Sequence, residues 1–128
     1  MEFTREAFYL LLNAAKPLWL VGADLSQADL RWANLHKANL TRSDIGGADL
    51  RWANLSGAAL IGANLSKSVL TEANLREADL RWANLSHAQL QGADLTGVNL
   101  SGASVSQEQL TEASSIDGVI MPDGTKRE

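Results

Sequence analysis

Two histidines, His36 and His87, are the side chains of this chain best suited to acid–base or metal chemistry near neutral pH. Neither is predicted to share a pocket with a serine nucleophile and an acid, so we interpret both as solvated side chains. The absence of cysteine excludes thiol catalysis, disulfides and cysteine zinc sites. The Gly-x-x-x-x-Gly spacings lack the Lys-Ser/Thr that follows them in a phosphate-binding loop. We therefore predict no catalytic, cofactor-binding or metal-binding residues, and no enzyme.

Tryptophan and arginine are the residues best suited to binding a macromolecular partner. Arg-Trp pairs stand at 31–32, 51–52 and 81–82, and exposed tryptophans and arginines are typical of interface hot spots. The possible partner-binding residues are Arg31, Trp32, Arg51 and Trp52, together with Ile61 and Trp82. The alternative is that each tryptophan packs over its own arginine or over a glycine, which gains about 0.5 to 1 kcal/mol of cation–π energy and involves no partner.

Aspartates and asparagines form a third pattern. They recur 20 residues apart at Asp24, Asp44, Asn64 and Asn84, with Asp29 and Asp49 beside them. Such a column could imitate the phosphates of DNA. We favour the alternative that these side-chain oxygens accept hydrogen bonds from nearby backbone amides, as short polar side chains commonly do at turns.

All of these residues belong to a five-residue repeat that runs without insertion from about residue 22 to residue 105. Of its 17 central residues, 15 are leucine; the residue two places earlier is alanine in 14 repeats, and the residue between is Asp or Asn in 13. Small, polar or glycine residues fill most of the other two positions. The predicted core consists of the central residues: Leu25, Leu30, Leu35, Leu40, Ile45, Leu50, Leu55, Leu60, Leu65, Leu70, Leu75, Leu80, Leu85, Leu90, Leu95, Leu100 and Val105.

A period of five matches neither the helix period of 3.6 nor the strand period of 2, so the chain must turn once per repeat. On a short extended segment, alanine and leucine two residues apart point inward and the residue between them points outward. The remaining two residues form a corner, where glycine and locally bonding side chains are favoured. The pattern therefore predicts an all-β solenoid with a leucine-filled axis. Such a filled, convex rod is expected to lack a concave cavity.

The tandem A-[DN]-L-x-x units, such as ADLSQ, ADLRW, ANLHK and ANLTR, resemble the pentapeptide-repeat family, and the ending VIMPDGTK is similar to the endings of many bacterial, notably cyanobacterial, members. The resemblance implies a right-handed quadrilateral β-helix with four repeats in each coil. Such a coil would stack Trp32 over Trp52 and Arg31 over Arg51, and would place Ile61 and Trp82 on the opposite side. Seventeen repeats would then form about four coils, and a strand spacing of about 4.8 Å gives a rod roughly 20 Å long.

The ends of a solenoid expose unpaired backbone groups and need caps. We predict three segments: an N-terminal capping helix in 1–20, the β-helix in 21–105, and a C-terminal capping helix and tail in 106–128. Thr4 is a suitable N-cap for the first helix, which Lys16-Pro17 would end. Ser106-Gln107-Glu108-Gln109 is typical of a capping box, and predicts a second helix to about Ser114. A Pro-Asp-Gly turn follows near the end.

The charge and hydropathy of the sequence bear on the cellular location of the protein and on whether it contacts a membrane. The net charge is −4, but residues 21–105 carry seven basic and eight acidic side chains and are nearly neutral. No segment approaches the roughly 18 apolar residues of a membrane span, and Glu2 and Glu6 flank the apolar stretch 8–15 where a signal peptide would be basic. We expect a cytoplasmic location without membrane contact, with secretion or a periplasmic or lumenal location as the alternative.

The leading functional hypothesis is a non-enzymatic scaffold or protein-interaction module with an unidentified protein partner, existing as a monomer or weak homodimer. No cofactor and no direct nucleic-acid binding are expected. The alternative comes from the family resemblance, because some members inhibit DNA gyrase or protect it from quinolones by imitating duplex charge and shape. The near-neutral body, the small number of coils and the leucine axis of this chain favour the leading hypothesis.

Overall fold

A computed structural model describes residues 17–128. From Trp19 to Ser104 the backbone turns once in every five residues. Over this range, from the bridge between Trp19 and Asn39 to the bridge between Asn84 and Ser104, the paired residues are parallel and 20 positions apart. Each bridge joins a single pair of residues, so the sides are short, and within residues 17–128 no strand extends beyond one residue. Each 20-residue coil therefore has four short sides and four corners. The N-terminal helix predicted after Thr4 lies outside the described residues.

Each corner is a type II β-turn. The amide of the residue that follows the corner donates to the central residue before it, as Ala28 N does to Leu25 O at 3.1 Å. The second corner residue has a positive φ at every position from Gly22 to Gly102, and ten of these residues are not glycine. A positive φ confined to the third residue of the turn defines type II. A left-handed conformation costs a non-glycine residue about 1–2 kcal/mol, so the coil-to-coil hydrogen bonds must outweigh this strain.

The predicted core is buried along the axis of the coils, with one exception. Sixteen of the 17 central residues, from Leu25 to Leu100, are at most 1% exposed. Val105 is partly buried and packs against this core. The reason is local: the chain leaves the coil at Ser106 to begin a helix, and no further repeat covers Val105.

The residue two places before each central residue also points inward, and there Ser43 replaces the usual alanine. Ser43 is 1% exposed, and its Oγ has no hydrogen-bond partner among the described residues. We expect Ser43→Ala to raise the free energy of unfolding by about 1 kcal/mol, because it removes a buried polar group without a partner. Urea unfolding measures the change.

Ser68 provides the matched control for Ser43. It is equally buried, but its Oγ donates to Leu65 O at 2.7 Å. Ser68→Ala should therefore leave stability unchanged or lower it slightly. An equal gain in both variants would contradict the assignment of the Ser43 hydroxyl as unsatisfied.

Helix α1 spans Gln107–Thr111 and covers part of the last coil. Ser106 Oγ accepts from Gln109 N, the Gln109 side chain accepts from Ser106 N, and Leu110 is 2% exposed. The helix ends before the predicted Ser114, because Ser114 N already pairs with Ala93 O.

The chain after α1 returns to the coil with its register shifted. Asn99 pairs with Ile120, a step of 21 residues, because the helix accommodates one more residue than a repeat does. Ile120 also pairs antiparallel with Lys126 across the turn in which Gly124 N donates to Met121 O. Among residues 17–128, no helix is long and apolar enough to cross a membrane.

Candidate protein-interaction surface

Trp32 and Trp52 stack on one corner of the solenoid, and we call this pair the tryptophan ladder. Their ring centroids are 4.8 Å apart with an interplanar angle of 16°. Both occupy the left-handed corner position, with φ of 63° and 61°. Trp52 Nε1 donates to Glu72 Oε2 at 3.0 Å, one coil further on. Trp32 stays 71% exposed, so a broad aromatic surface faces solvent.

The two arginines beside the tryptophan ladder are held by aspartates. Arg31 donates Nε and Nη2 to Asp29 at 2.9 and 2.8 Å, and Arg51 donates the same groups to Asp49 at 2.9 and 2.6 Å. The hydrogen bond from Arg51 holds the pKa of the Asp49 carboxyl below its usual value. The Arg51 guanidinium carbon lies 5.5 Å from the Trp52 ring centroid, within cation–π range. The predicted residues of this corner therefore form one ordered cluster.

Ile61 and Trp82 lie on the opposite corner, half a coil away in the 20-residue register. Trp82 is 69% exposed and has no stacking partner among the described aromatic rings. It lies over Gly102, since a Cβ built on that glycine would be 2.1 Å from Trp82 Cε3. Ile61 is half-buried. The structure thus keeps these two residues apart from the tryptophan ladder.

The stacking of Trp32 on Trp52 and the packing of Trp82 over Gly102 have the same geometric cause. A side chain at the second corner position leans toward the next coil, where a glycine often stands 20 residues later. Gln27 covers Gly47 and Glu77 covers Gly97 in this way, as Trp82 covers Gly102. After Trp32 the corresponding residue is Trp52, so one ring stacks on another ring.

The outward Asp and Asn residues bond to the corners, as the sequence predicts. Asp24 Oδ1 accepts from Ser26 N and Asp44 Oδ1 accepts from Gly46 N, both at 3.0 Å, and Asn64 and Asn84 bond in the same way. The hydrogen bonds from Ser26 lower the pKa of Asp24. These oxygens stabilise turns, so their column is not a row of uncommitted phosphate-like groups.

The histidines differ from each other in their surroundings. His36 Nδ1 lies 2.7 Å from Ser56 Oγ on the next coil. His87 lines a cavity of about 650 Å³ between α1 and the last coil. This space is an open groove at the end of the rod, where the chain leaves the coil to form α1. Within residues 17–128, no three His, Asp or Glu side chains are grouped to hold a metal ion.

Sequence reasoning missed one exposed aromatic residue. Trp19 is 76% exposed and pairs through its backbone with Asn39. It occupies the outward position that Asp or Asn takes in most repeats. Extending the five-residue frame one step toward the N-terminus would have found it.

The repeat geometry matches a known family. The family model described as "Pentapeptide repeats" matches eight copies over residues 20–51, 48–86 and 78–114. The chain belongs to the pentapeptide repeat family. Its solved relatives are right-handed quadrilateral β-helices, consistent with the four-cornered, 20-residue coil of this chain. No curated protein matches it.

Several solved pentapeptide repeat proteins resemble the chain. One from the thylakoid lumen of Arabidopsis thaliana is 29% identical, with a TM-score of 0.58 over 84% of this chain and 82% of that chain. A trypsin-treated variant of QnrB1, a plasmid-mediated fluoroquinolone resistance protein, is 30% identical, with a TM-score of 0.66 over 71% of this chain. The match spans 44% of that QnrB1 chain. HetL, involved in heterocyst differentiation regulation in the cyanobacterium Nostoc sp. strain PCC 7120, is 30% identical, with a TM-score of 0.40 over 88% of this chain and 63% of that one.

Proposed function

We propose that this pentapeptide repeat protein is a non-enzymatic scaffold that binds a protein partner through the tryptophan ladder, Arg31 and Arg51. The observation that carries the proposal is the ring stack itself, at 4.8 Å, with Trp32 71% exposed. Tryptophan and arginine are enriched among residues that dominate binding energy. Ile61 and Trp82 form a second, smaller candidate surface on the opposite corner.

The fixed side chains of this corner also favour binding of a protein partner. Arg31 and Arg51 are each held by two hydrogen bonds to an aspartate. Side chains that are already fixed lose less conformational entropy when a partner binds. A partner would thus contact a rigid aromatic surface with the two fixed arginine guanidinium groups beside it.

The proposal also includes the architecture of the chain and its location. The β-helix, which includes 21–105 and in the structure already begins at Trp19, forms about four coils, and the segment 106–128 with α1 caps its C-terminal end. The protein is a monomer or weak homodimer in the cytoplasm. Its partner is a protein, with neither nucleic acid nor membrane bound directly.

Replacing both tryptophans of the ladder by glycine tests the proposal. Trp32→Gly/Trp52→Gly should fold, because glycine suits the left-handed corner. We expect its affinity for the partner to fall by at least about thirtyfold, since one hot-spot residue contributes 2 kcal/mol or more. A pull-down compares the native chain with this variant and with Trp82→Gly as the control.

Light scattering over a concentration series distinguishes a partner from a second copy. We expect the native chain and the double variant both to have the 13.7 kDa mass of one chain. If the native chain is a dimer and the folded variant a monomer, the ladder is a self-interface. If only Trp82→Gly loses a captured protein, the binding surface is the Ile61 and Trp82 corner and the proposal is wrong.

A second candidate function is inhibition or protection of DNA gyrase by DNA mimicry. The observation favouring it is the likeness to QnrB1, described as a fluoroquinolone resistance protein. Against it, Asp24 and Asp44 are bonded to corner amides and Asp49 is paired with Arg51. A supercoiling assay decides: we expect micromolar protein to leave gyrase activity and its quinolone sensitivity unchanged. A dose-dependent change in either would favour mimicry.

A further inference from the structure

One side of the rod carries cations that no acidic side chain balances. Its outward residues form the column Trp19, Asn39, Ala59 and Asp79. In two successive coils this side and its corners consist of residues 36–42 and 56–62, which include Lys37 and Arg42 and contain no Asp or Glu. We call the following residues together the basic side: Trp19, Lys37, Asn39, Arg42 and Ala59.

Lys37 and Arg42 have no counter-ion, unlike the other arginines of the solenoid. Those arginines each pair with an aspartate at 2.6–3.1 Å, and they are Arg31, Arg51, Arg76 and Arg81. Within residues 17–128, the side chains of Lys37 and Arg42 form neither an ion pair nor a hydrogen bond, and both residues are exposed. Because the whole chain has a net charge of −4, this local excess of positive charge favours an acidic partner at one side only.

The two cations stand at the two edges of a shallow floor. Both occupy the second corner position and lean toward the next coil. A Cβ built on Gly57 would be 3.1 Å from Lys37 Cγ, and one built on Gly62 would be 3.4 Å from Arg42 Cγ. The outward residue between these glycines is Ala59, whose side chain ends at Cβ. A side of this length places the two corners roughly 10 Å apart.

This spacing indicates the conformation of the segment that fits. A polyproline II segment repeats every three residues and advances about 9 Å in that distance. Acidic residues at its first and fourth positions therefore face the same way, and their carboxylates can reach Lys37 and Arg42 together. The two residues between them then lie over Ala59.

Trp19 adds an aromatic side chain to the N-terminal end of the floor. It stands where the usual Asp or Asn accepts a hydrogen bond from a corner amide, as Asn39 Oδ1 does from Thr41 N at 3.2 Å. An indole ring cannot accept this bond, so Trp19 does not stabilise its corner in this way. Its ring is 76% exposed and is available for apolar contact with a bound segment. Aromatic side chains are the usual contacts of proline-rich segments.

We propose that the basic side binds an acidic, extended segment of another protein. One carboxylate of the segment pairs with Lys37 and a second pairs with Arg42, and the residues between them contact Ala59 and Trp19. The net charge of −4 disfavours a long polyanion such as nucleic acid. The basic side does not adjoin the tryptophan ladder and meets the Ile61 and Trp82 corner only at Arg42, so the inference does not depend on the function proposed above.

A peptide titration followed by NMR of the full chain tests the basic side. The probe is acetyl-Glu-Pro-Pro-Glu-amide, added to about 5 mM because one short peptide binds weakly. An ionic strength of about 0.01 M keeps exposed charges unscreened. We expect the indole N–H of Trp19 and the amides of 37–42 to shift, while the indoles of Trp32, Trp52 and Trp82 do not. The charge-reversed peptide acetyl-Lys-Pro-Pro-Lys-amide should shift none of them.

Three variants identify the groups that bind the peptide. Lys37→Gln/Arg42→Gln should bind it about fivefold more weakly, as expected for two exposed ion pairs. Trp19→Asn, which restores the usual outward residue, should bind it about threefold more weakly through lost apolar contact. Lys67→Gln is the matched control, because Lys67 is an exposed cation without an ion pair at the same corner position on another side. It should bind the peptide with native affinity, as should Trp32→Gly/Trp52→Gly.

Several results would overturn the proposal. They are an unshifted Trp19 indole, equal shifts of all four indoles, native affinity in Lys37→Gln/Arg42→Gln, and an equal loss in Lys67→Gln. A Trp19 shift that follows protein concentration without peptide would assign the basic side to a second copy of the chain. A larger shift with single-stranded oligothymidylate than with the peptide would assign it to nucleic acid. Either of these results also contradicts binding of an acidic protein segment.

Discussion

Leu60→Asp is expected to abolish the folded state at 25 °C. Leu60 is fully buried on the axis, one coil from Leu40 and from Leu80. The substitution removes an apolar side chain, leaves a cavity and places a carboxylate where no cation can reach it. We expect a loss above about 4 kcal/mol, comparable with the whole stability of many small domains. Circular dichroism with urea titration would show no cooperative transition.

Ala59→Asp is the matched control for Leu60→Asp. It introduces the same side chain one residue away, at the outward position that holds Asp or Asn in 13 of the 17 repeats. The new carboxylate can accept from the amide of Ile61, as Asp44 does from Gly46. We expect its stability to stay within about 1 kcal/mol of the native chain. Unfolding by both substitutions would refute the division into inward and outward positions.

Gly102→Ala is expected to lower the free energy of unfolding by about 2 kcal/mol, for two separable reasons. Gly102 has a φ of +71°, where a side chain is strained. Its new Cβ would also be 2.1 Å from Trp82 Cε3, so the indole must leave the glycine. Urea unfolding measures the loss, and the indole N–H resonance of Trp82 reports the displacement of the ring.

Gly22→Ala separates the two contributions to the Gly102→Ala effect. Gly22 has a similar φ of +68°, but a Cβ there would meet no atom within 4 Å. We expect it to cost about 1 kcal/mol, the backbone contribution alone. Repeating Gly102→Ala in a Trp82→Ala background should reduce its cost to the same value. Equal costs for Gly22→Ala and Gly102→Ala in the native chain would show that the contact with Trp82 is unimportant.

The five-residue pattern was enough to predict the inside and the outside of the rod. Leu60 and Ala58 point inward and Ala59 outward because residues two apart on a short extended segment share a side. The hydrogen bond of Asp24 to the Ser26 amide and the capping box at Ser106 also lie within a few residues along the chain. Interactions of such short range can be recognised from neighbouring residue types.

The residue that each exposed tryptophan contacts depends on the tertiary structure. Trp32, Trp52 and Trp82 all follow an arginine at the same repeat position, so their local sequences are alike. What differs is the residue one coil later, which is Trp52 for Trp32 and Gly102 for Trp82. The period of five requires a turn in each repeat and leaves the number of sides undetermined. The 20-residue register therefore had to be known before any stack could be assigned.

The sequence by itself determined the repeat, its leucine axis, its corners and the start of α1, because these depend on contacts between residues close along the chain. Only the tertiary structure decided the packing of Trp82 over Gly102, the 21-residue step after α1 and the amides of His87 and Leu90, which are unpaired among the described residues. Each of these depends on which carbonyl or side chain the closing of a coil brings opposite a residue some 20 positions away. The closing of a coil depends on the combined angles of four successive corners, so it cannot be inferred from one repeat.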